Sequence, residues 1–211
     1  MSHTTGNPPV ITQPVQTLPP HYQRHAALDL SQNKTALIVL NIASVVLFFA
    51  SGWLVLQIVP LLRPNESGQT VSFSGTDMVV FSVALIVLVV FQIVLHELIH
   101  GLFFWIFTCD RPVFGFKGLY AYAAAPNWYM PHTQHLIVGL APLVLITLAG
   151  FALIAVVPLT AVPLLVLLIV INAAGAVGDI AMVAWEAVQP RGTLVHDTGD
   201  AITLYRPDVA A

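Results

Sequence analysis

Four apolar stretches, each long enough to cross a bilayer, leave this chain few folds to choose from. They run from about Ala36 to Leu62, Met78 to Phe107, Leu136 to Val157 and Val162 to Val188. A helix needs roughly 20 apolar residues to span the hydrocarbon core, so each stretch qualifies, and the longer ones can tilt. Only 8% of the side chains are charged, 57% are hydrophobic, and the mean hydropathy is +0.86. A soluble domain carries about 25% charged residues and has nowhere to hide so much apolar surface. The expected fold is therefore an all-α, multi-pass protein of four transmembrane helices, with membrane lipid as its solvent. A net charge of -3 gives no electrostatic case for nucleic acid.

The flanks read differently. Residues 1–33 are polar and carry Pro8, Pro9, Pro14, Pro19 and Pro20, which predicts a disordered tail. They lack the basic-then-apolar order of a cleavable signal peptide. His3, His21 and His25 in that tail read as solvated residues. The helical domain is expected over 34–188, followed by a C-terminal tail over 189–211. The only cysteine, Cys109, has no partner for an internal disulfide.

Four spans place both termini and the middle loop on one side. All the basic residues lie there except Arg63: Arg24, Lys34, Arg111, Lys117, Arg191 and Arg206. The positive-inside rule then puts both termini in the cytoplasm, in a cell-membrane setting. The middle loop, from about Thr108 to His135, places Phe114, Phe116, Tyr120 and Tyr122 at period two, interrupted by Gly115 and Gly118. That pattern predicts a short strand or hairpin at the membrane surface, able to hold an extended peptide by edge pairing. Trp128 and Tyr129 suit the headgroup zone.

The chemistry-bearing motif lies in the second span, where residues 96–100 read HELIH. Residues four apart share one helix face about one turn apart, so His96 and His100 can converge on one metal ion. Glu97 is placed to serve as a general base. Ionisable groups inside a span are costly and tend to be functional. Of ten acidic residues, only Glu97, Asp179 and Glu186 fall within the spans.

A zinc site of this type takes a third protein ligand. Asn172, Asp179 and Glu186 recur at intervals of seven in the fourth span and so share a face. Measured from the cytoplasmic ends of the two spans, Asp179 lies at the depth of the histidine pair, and Gln92 and Asn172 match one another. Small residues around Asp179, from Ala173 to Gly178, allow close helix approach. Asp179 is the favoured third ligand to Zn2+ and Glu186 a minor candidate. His132 and His135, just before the third span, read as interfacial and solvated, with a site role as the lesser reading.

HELIH, the loop FGFKGLYAYAAAP, the stretch HLIVGLAPL and the stretch NAAGAVGDI together resemble an uncharacterised bacterial membrane family described as zincin peptidases. The resemblance covers roughly residues 78–188. More distantly the layout is similar to the site-2 protease group of intramembrane metalloproteases. That likeness implies zinc ligands at His96, His100 and Asp179, Glu97 as base, and Asn172 as the asparagine before the aspartate. The chain departs from that group in lacking a proline between asparagine and aspartate, and in reading Gly178-Asp179 in place of Asp-Gly.

The leading functional expectation is a zinc-dependent intramembrane peptidase acting on a protein or peptide substrate. The alternative is a metal-binding membrane protein that does not hydrolyse, such as a regulatory or scaffold subunit. Such a protein would not need Glu97 at the motif's second position. A small transporter ranks last, because the first and third stretches carry almost no polar residues.

Overall fold

The longest helix begins at a capping box and ends at a left-handed residue. In a computed structural model of the protein, the Ser74 hydroxyl accepts from the Asp77 backbone N–H, and the Ser74 N–H donates to Asp77 Oδ2 at 2.8 Å. This satisfies donors that the first helical turn leaves open. The helix runs Gly75–Thr108 and stops at Cys109, whose φ of 54° lets its N–H donate to the Trp105 carbonyl. At about 1.5 Å per residue it is ~50 Å long, more than a bilayer core needs. The structure describes residues 10–29, 34–66, 68–70, 72, 74–116, 121–199 and 201–208. His3, Lys117, Gly118 and Tyr120 lie outside them.

In chain order the elements are β1 (Tyr22–Asp29), α1 (Lys34–Leu62), α2 (Gly75–Thr108), β2 (Val113–Phe116), β3 (Ala121–Ala124), β4 (Tyr129–Pro131), α3 (His132–Ile154), α4 (Val162–Gly175), α5 (Val177–Ala187), β5 (Leu194–Asp197) and β6 (Ala201–Pro207). Three helices, α1, α2 and α3, are long and apolar enough to cross a membrane, and α4 with α5 makes a fourth candidate span. Their outward surfaces are strongly apolar. Phe49 is 70% exposed and Val79 65%, while Val55 is the one buried residue of α1.

The helices pack around α3 and α4. α4 touches α1, α2 and α3, whereas α5 packs chiefly on α3. A cluster of Val55, Ile154, Val162, Ile169 and Val170 joins α1, α3 and α4. At that end Arg63 is tied to Glu66 and donates to the carbonyls of Ile154 and Val157 at 2.6 and 2.7 Å. These are open acceptors at the C-terminus of α3, so Arg63 serves as a helix cap.

The hairpin expected in the middle loop is present as β2 paired antiparallel with β3, with Phe114 opposite Ala123. Beside it, Asp110 accepts from Trp128 Nε1 at 3.1 Å and from the Arg111 N–H at 2.8 Å. These donors hold its carboxyl below the usual carboxylate range.

Three expectations need correction. The N-terminal region is not wholly a disordered tail, because Tyr22–Asp29 forms a strand. The fold is also not all-α apart from one hairpin: an antiparallel sheet of order β1-β6-β5-β4 draws on both flanks and the middle loop. The pairing of Tyr22 with Pro207 spans nearly the whole chain, so composition read locally misses it. Val195, Ile202 and Leu204 of the sheet pack on Met182 and Trp185 of α5.

Finally, the fourth stretch is not one straight helix. It bends by 47° between α4 and α5, at Ala176 with φ −75° and ψ 6°. Gly175 and Gly178 bracket the bend, and glycine weakens a helix interior.

Candidate metal centre

The polar residues of α2 and α4 meet in the interior. Gln92, 3% exposed, donates its Nε2–H to Asn172 Oδ1 at 2.8 Å, and Asn172 is 1% exposed. The Asn172 amide is turned one way by its surroundings. Its Nδ2 faces two acceptors, the carbonyls of Pro142 at 3.3 Å and Leu143 at 3.4 Å on α3. Its Oδ1 must then face donors. The second of these is His96 Nδ1 at 3.1 Å. An acceptor at Nδ1 is met by a proton there, which leaves Nε2 as the ring nitrogen open to a metal ion.

His100 is set the same way by a different group. Its Nδ1 lies 2.9 Å from the Val138 carbonyl of α3, which accepts only, so Nε2 is again the nitrogen open to a metal ion. Both Nε2 atoms turn toward Asp179. His96 Nε2 lies 3.0 Å from Asp179 Oδ2, and His100 Nε2 lies 3.5 Å from Oδ1. One donor atom from each of the three residues lies within 4.8 Å of the others. Asp179 stands on the first turn of α5, just past the bend.

This donor set fits zinc. Ligands at about 2.0–2.2 Å in a tetrahedron lie ~3.3 Å apart, and each imidazole Nε2 lies near that distance from one Asp179 oxygen, 3.0 Å from Oδ2 and 3.5 Å from Oδ1. The second nitrogen of each imidazole rests on an oxygen acceptor, the arrangement that orients metal-bound histidines. Among the described residues no fourth His, Cys, Asp or Glu joins the group. Three protein donors with one position left over is the pattern of catalytic rather than structural zinc.

Residues 88–193 match the family described as "Putative zincin peptidase". The chain belongs to this zincin peptidase family. The match spans HELIH, β2, β3, β4, the whole of α3 to α5 and the first turn beyond, so it covers every residue of the cluster. At a coarse level the family is one of metallopeptidases, and its zincin character implies a zinc cofactor. No curated protein and no solved structure matches the chain.

Around the zincin cluster, Glu97 follows His96 on α2 and is partly buried. Its carboxylate lies near the backbone of Ala123 on β3, which brings the hairpin to the motif. The next turn is shaped for this contact: a Cβ on Gly101 would fall onto the Phe114 ring of β2.

The remaining candidates lie elsewhere. His132 and His135 are not interfacial and solvated: α3 starts at His132, and both are buried, at 7% and 6% exposure. The sheet covers them, and the His132 N–H donates to the Thr193 carbonyl at 3.0 Å. Glu186 does not reach the histidine pair; it is fully buried against His135. The carbonyl of Val138 and the backbone of Ala123 are main-chain groups with no residue-type signature. Pro142, inside an otherwise helical apolar pattern, was the one visible signal near them.

Proposed function

We propose that this chain is a zinc-dependent intramembrane peptidase in which His96, His100 and Asp179 hold the metal and Glu97 is the general base. The observation that carries the reading is the shared orientation of the two imidazoles. Each has its Nδ1 occupied by an acceptor and its Nε2 turned to the Asp179 carboxylate. Histidines placed only for packing would not need both rings turned the same way onto one carboxylate. Zinc, when bound, supplies a Lewis acid that polarises a carbonyl and makes a water easier to deprotonate.

The chain's own residues supply the rest. Glu97 takes the proton of the attacking water and delivers it to the leaving amine. β3 pairs with β2 in a two-stranded sheet, which leaves β3 an outer edge near Glu97. An extended protein or peptide segment laid along that edge would gain main-chain hydrogen bonds beside the base. The apolar surfaces of α1 and α2 favour a bilayer setting, with lipid around the bundle and both termini in the cytoplasm. The layout, a histidine pair on one helix and an aspartate on a later one, resembles the site-2 proteases.

The test is metal content together with proteolysis of the purified protein. About one zinc per chain is expected, lost in His96→Ala and His100→Ala. Glu97→Gln should keep the zinc and lose cleavage. Zinc binding without any cleavage by the wild-type protein, under conditions where candidate membrane peptides are presented, would favour a non-hydrolytic metal-binding protein.

A further inference from the structure

α3 carries a proline in its interior, Pro142, and runs on without interruption to Ile154. An α-helix pairs each carbonyl with the N–H four residues ahead. For Val138 that donor would be residue 142, and proline has no N–H. Val138 is 2% exposed, so its carbonyl has little access to water. A buried carbonyl without a donor is unfavourable and draws one from elsewhere. Here the donor is His100 Nδ1 at 2.9 Å.

The same turn serves the other histidine. The carbonyls of Pro142 and Leu143 receive the Asn172 Nδ2–H, and this contact turns Asn172 Oδ1 toward His96 Nδ1. A helix carbonyl has two lone pairs, so these two can accept Asn172 beside their own helical donors. The α3 backbone therefore stands behind both imidazoles, directly at His100 and through Asn172 at His96, although α3 contributes no side chain to the cluster.

We propose that Pro142 is a positioning residue for the metal-binding histidines. By withholding an N–H from Val138 it reserves that carbonyl for His100 Nδ1, which turns His100 Nε2 toward Asp179 as the nitrogen open to a metal ion. The inference rests on the metal-centre reading above for its consequence, but not for its geometry, which concerns the tautomer of His100 alone. A proline kept merely for the shape of α3 would leave that tautomer unaffected by its loss.

The test uses the full chain, purified in detergent or nanodiscs, as wild type and as Pro142→Ala. Alanine restores the N–H at position 142 and lets the helix reclaim the Val138 carbonyl. The first readout is the 15N spectrum of labelled imidazoles in metal-free protein. Wild-type His100 should carry a proton on Nδ1 hydrogen-bonded to Val138, and Pro142→Ala should shift it toward Nε2–H alone, with a smaller change at His96. The second readout is zinc affinity from competition with a chelator. It should fall ten- to a hundredfold in Pro142→Ala, the usual effect of losing a partner that orients a metal ligand. Thermal stability should stay level or rise, since alanine suits a helix better than proline.

Wild-type zinc affinity and an unchanged His100 spectrum in Pro142→Ala would overturn the proposal. So would an Nε2–H tautomer of His100 in the wild-type protein, a result that needs no variant to fold. A wild-type protein that shows the Nδ1–H tautomer but binds no zinc would instead refute the metal-centre reading and leave the proline's role at His100 standing.

Discussion

His135 Nδ1 lies 2.9 Å from Glu186 Oε2, and the other nitrogen of the same ring lies 3.1 Å from Asp197 Oδ2. One imidazole thus joins three elements: α3, which carries it, α5 through Glu186, and β5 through Asp197. The contact fastens the sheet to the helices at the end where both flanks of the chain gather. It also anchors α5, the short helix that carries Asp179, to α3. Close by, α3 and α5 approach so tightly that a Cβ on Gly139 would come within 2.8 Å of Val183.

Removing the imidazole would leave two carboxylates facing each other with no donor between them, one of them 0% exposed. Breaking a buried charge pair by deleting one partner typically costs about 3–5 kcal/mol. His135→Ala should therefore be among the most destabilising single changes outside the apolar core. Glu186→Gln keeps a hydrogen-bonding group in place and should cost less, about 1–3 kcal/mol. Reversible unfolding in a mixed-micelle SDS titration measures both. A cost below about 1 kcal/mol for His135→Ala would show that the bridge holds nothing together.

Asn172 is predicted to matter for metal affinity without touching the metal. Its Oδ1 receives both Gln92 and His96, so Asn172→Ala removes the acceptor that holds His96 by its Nδ1. Loss of such an outer partner commonly weakens a metal site ten- to a hundredfold. Asn172→Asp should do less harm to His96, since a carboxylate oxygen still accepts from Nδ1, but it places a second acceptor against the carbonyls of Pro142 and Leu143. Chelator competition on the purified variants gives the order. Equal zinc affinity in wild type and Asn172→Ala would remove Asn172 from the site.

The orientation can be read from the natural cysteine. Cys109 is exposed at the end of α2 that leads into the hairpin. If the termini and the middle loop are cytoplasmic, a membrane-impermeant thiol reagent should label Cys109 in inside-out vesicles and leave it untouched in intact cells. Labelling from the outside of intact cells would invert the topology and the side from which water reaches Glu97.

The parts of this protein that were legible in its sequence are those governed by local periodicity. The extents of α1 and α2 follow from apolar length. The meeting of His96, His100 and Asp179 follows from helix faces and from depth counted along two spans. The sheet was hidden because β1 is a modest, mostly exposed strand whose partner, β6, lies at the far end of the chain. The break at Ala176 has no clear sequence signal, because the small residues around it suit close helix packing as well as they suit a bend. His135 was misplaced for a related reason. Its position just before an apolar stretch suggests an interface, and only the sheet folded over it makes the site buried.

The last prediction concerns the third ligand. Asp179 is 28% exposed at its side chain, yet both its oxygens are turned to imidazole nitrogens, Oδ2 to His96 and Oδ1 to His100. A carboxylate placed within a candidate span is unfavourable unless paired or metal-bound, and an exposed aspartate there would be free to turn toward water. Asp179→Asn keeps the shape and the hydrogen-bonding capacity but removes the charge, so zinc binding should weaken markedly. Asp179→Ala should weaken it further, to the level of a two-histidine site. Glu186 recurs on the same helix face about 10 Å further along by helix rise. It is engaged with His135, so Glu186→Gln should lower stability while leaving zinc affinity close to wild type. The two acids are thereby separated by opposite signatures, affinity for one and stability for the other. If zinc affinity is unchanged in Asp179→Asn and falls in Glu186→Gln, the third ligand has been assigned to the wrong acid, even though the histidine pair stands.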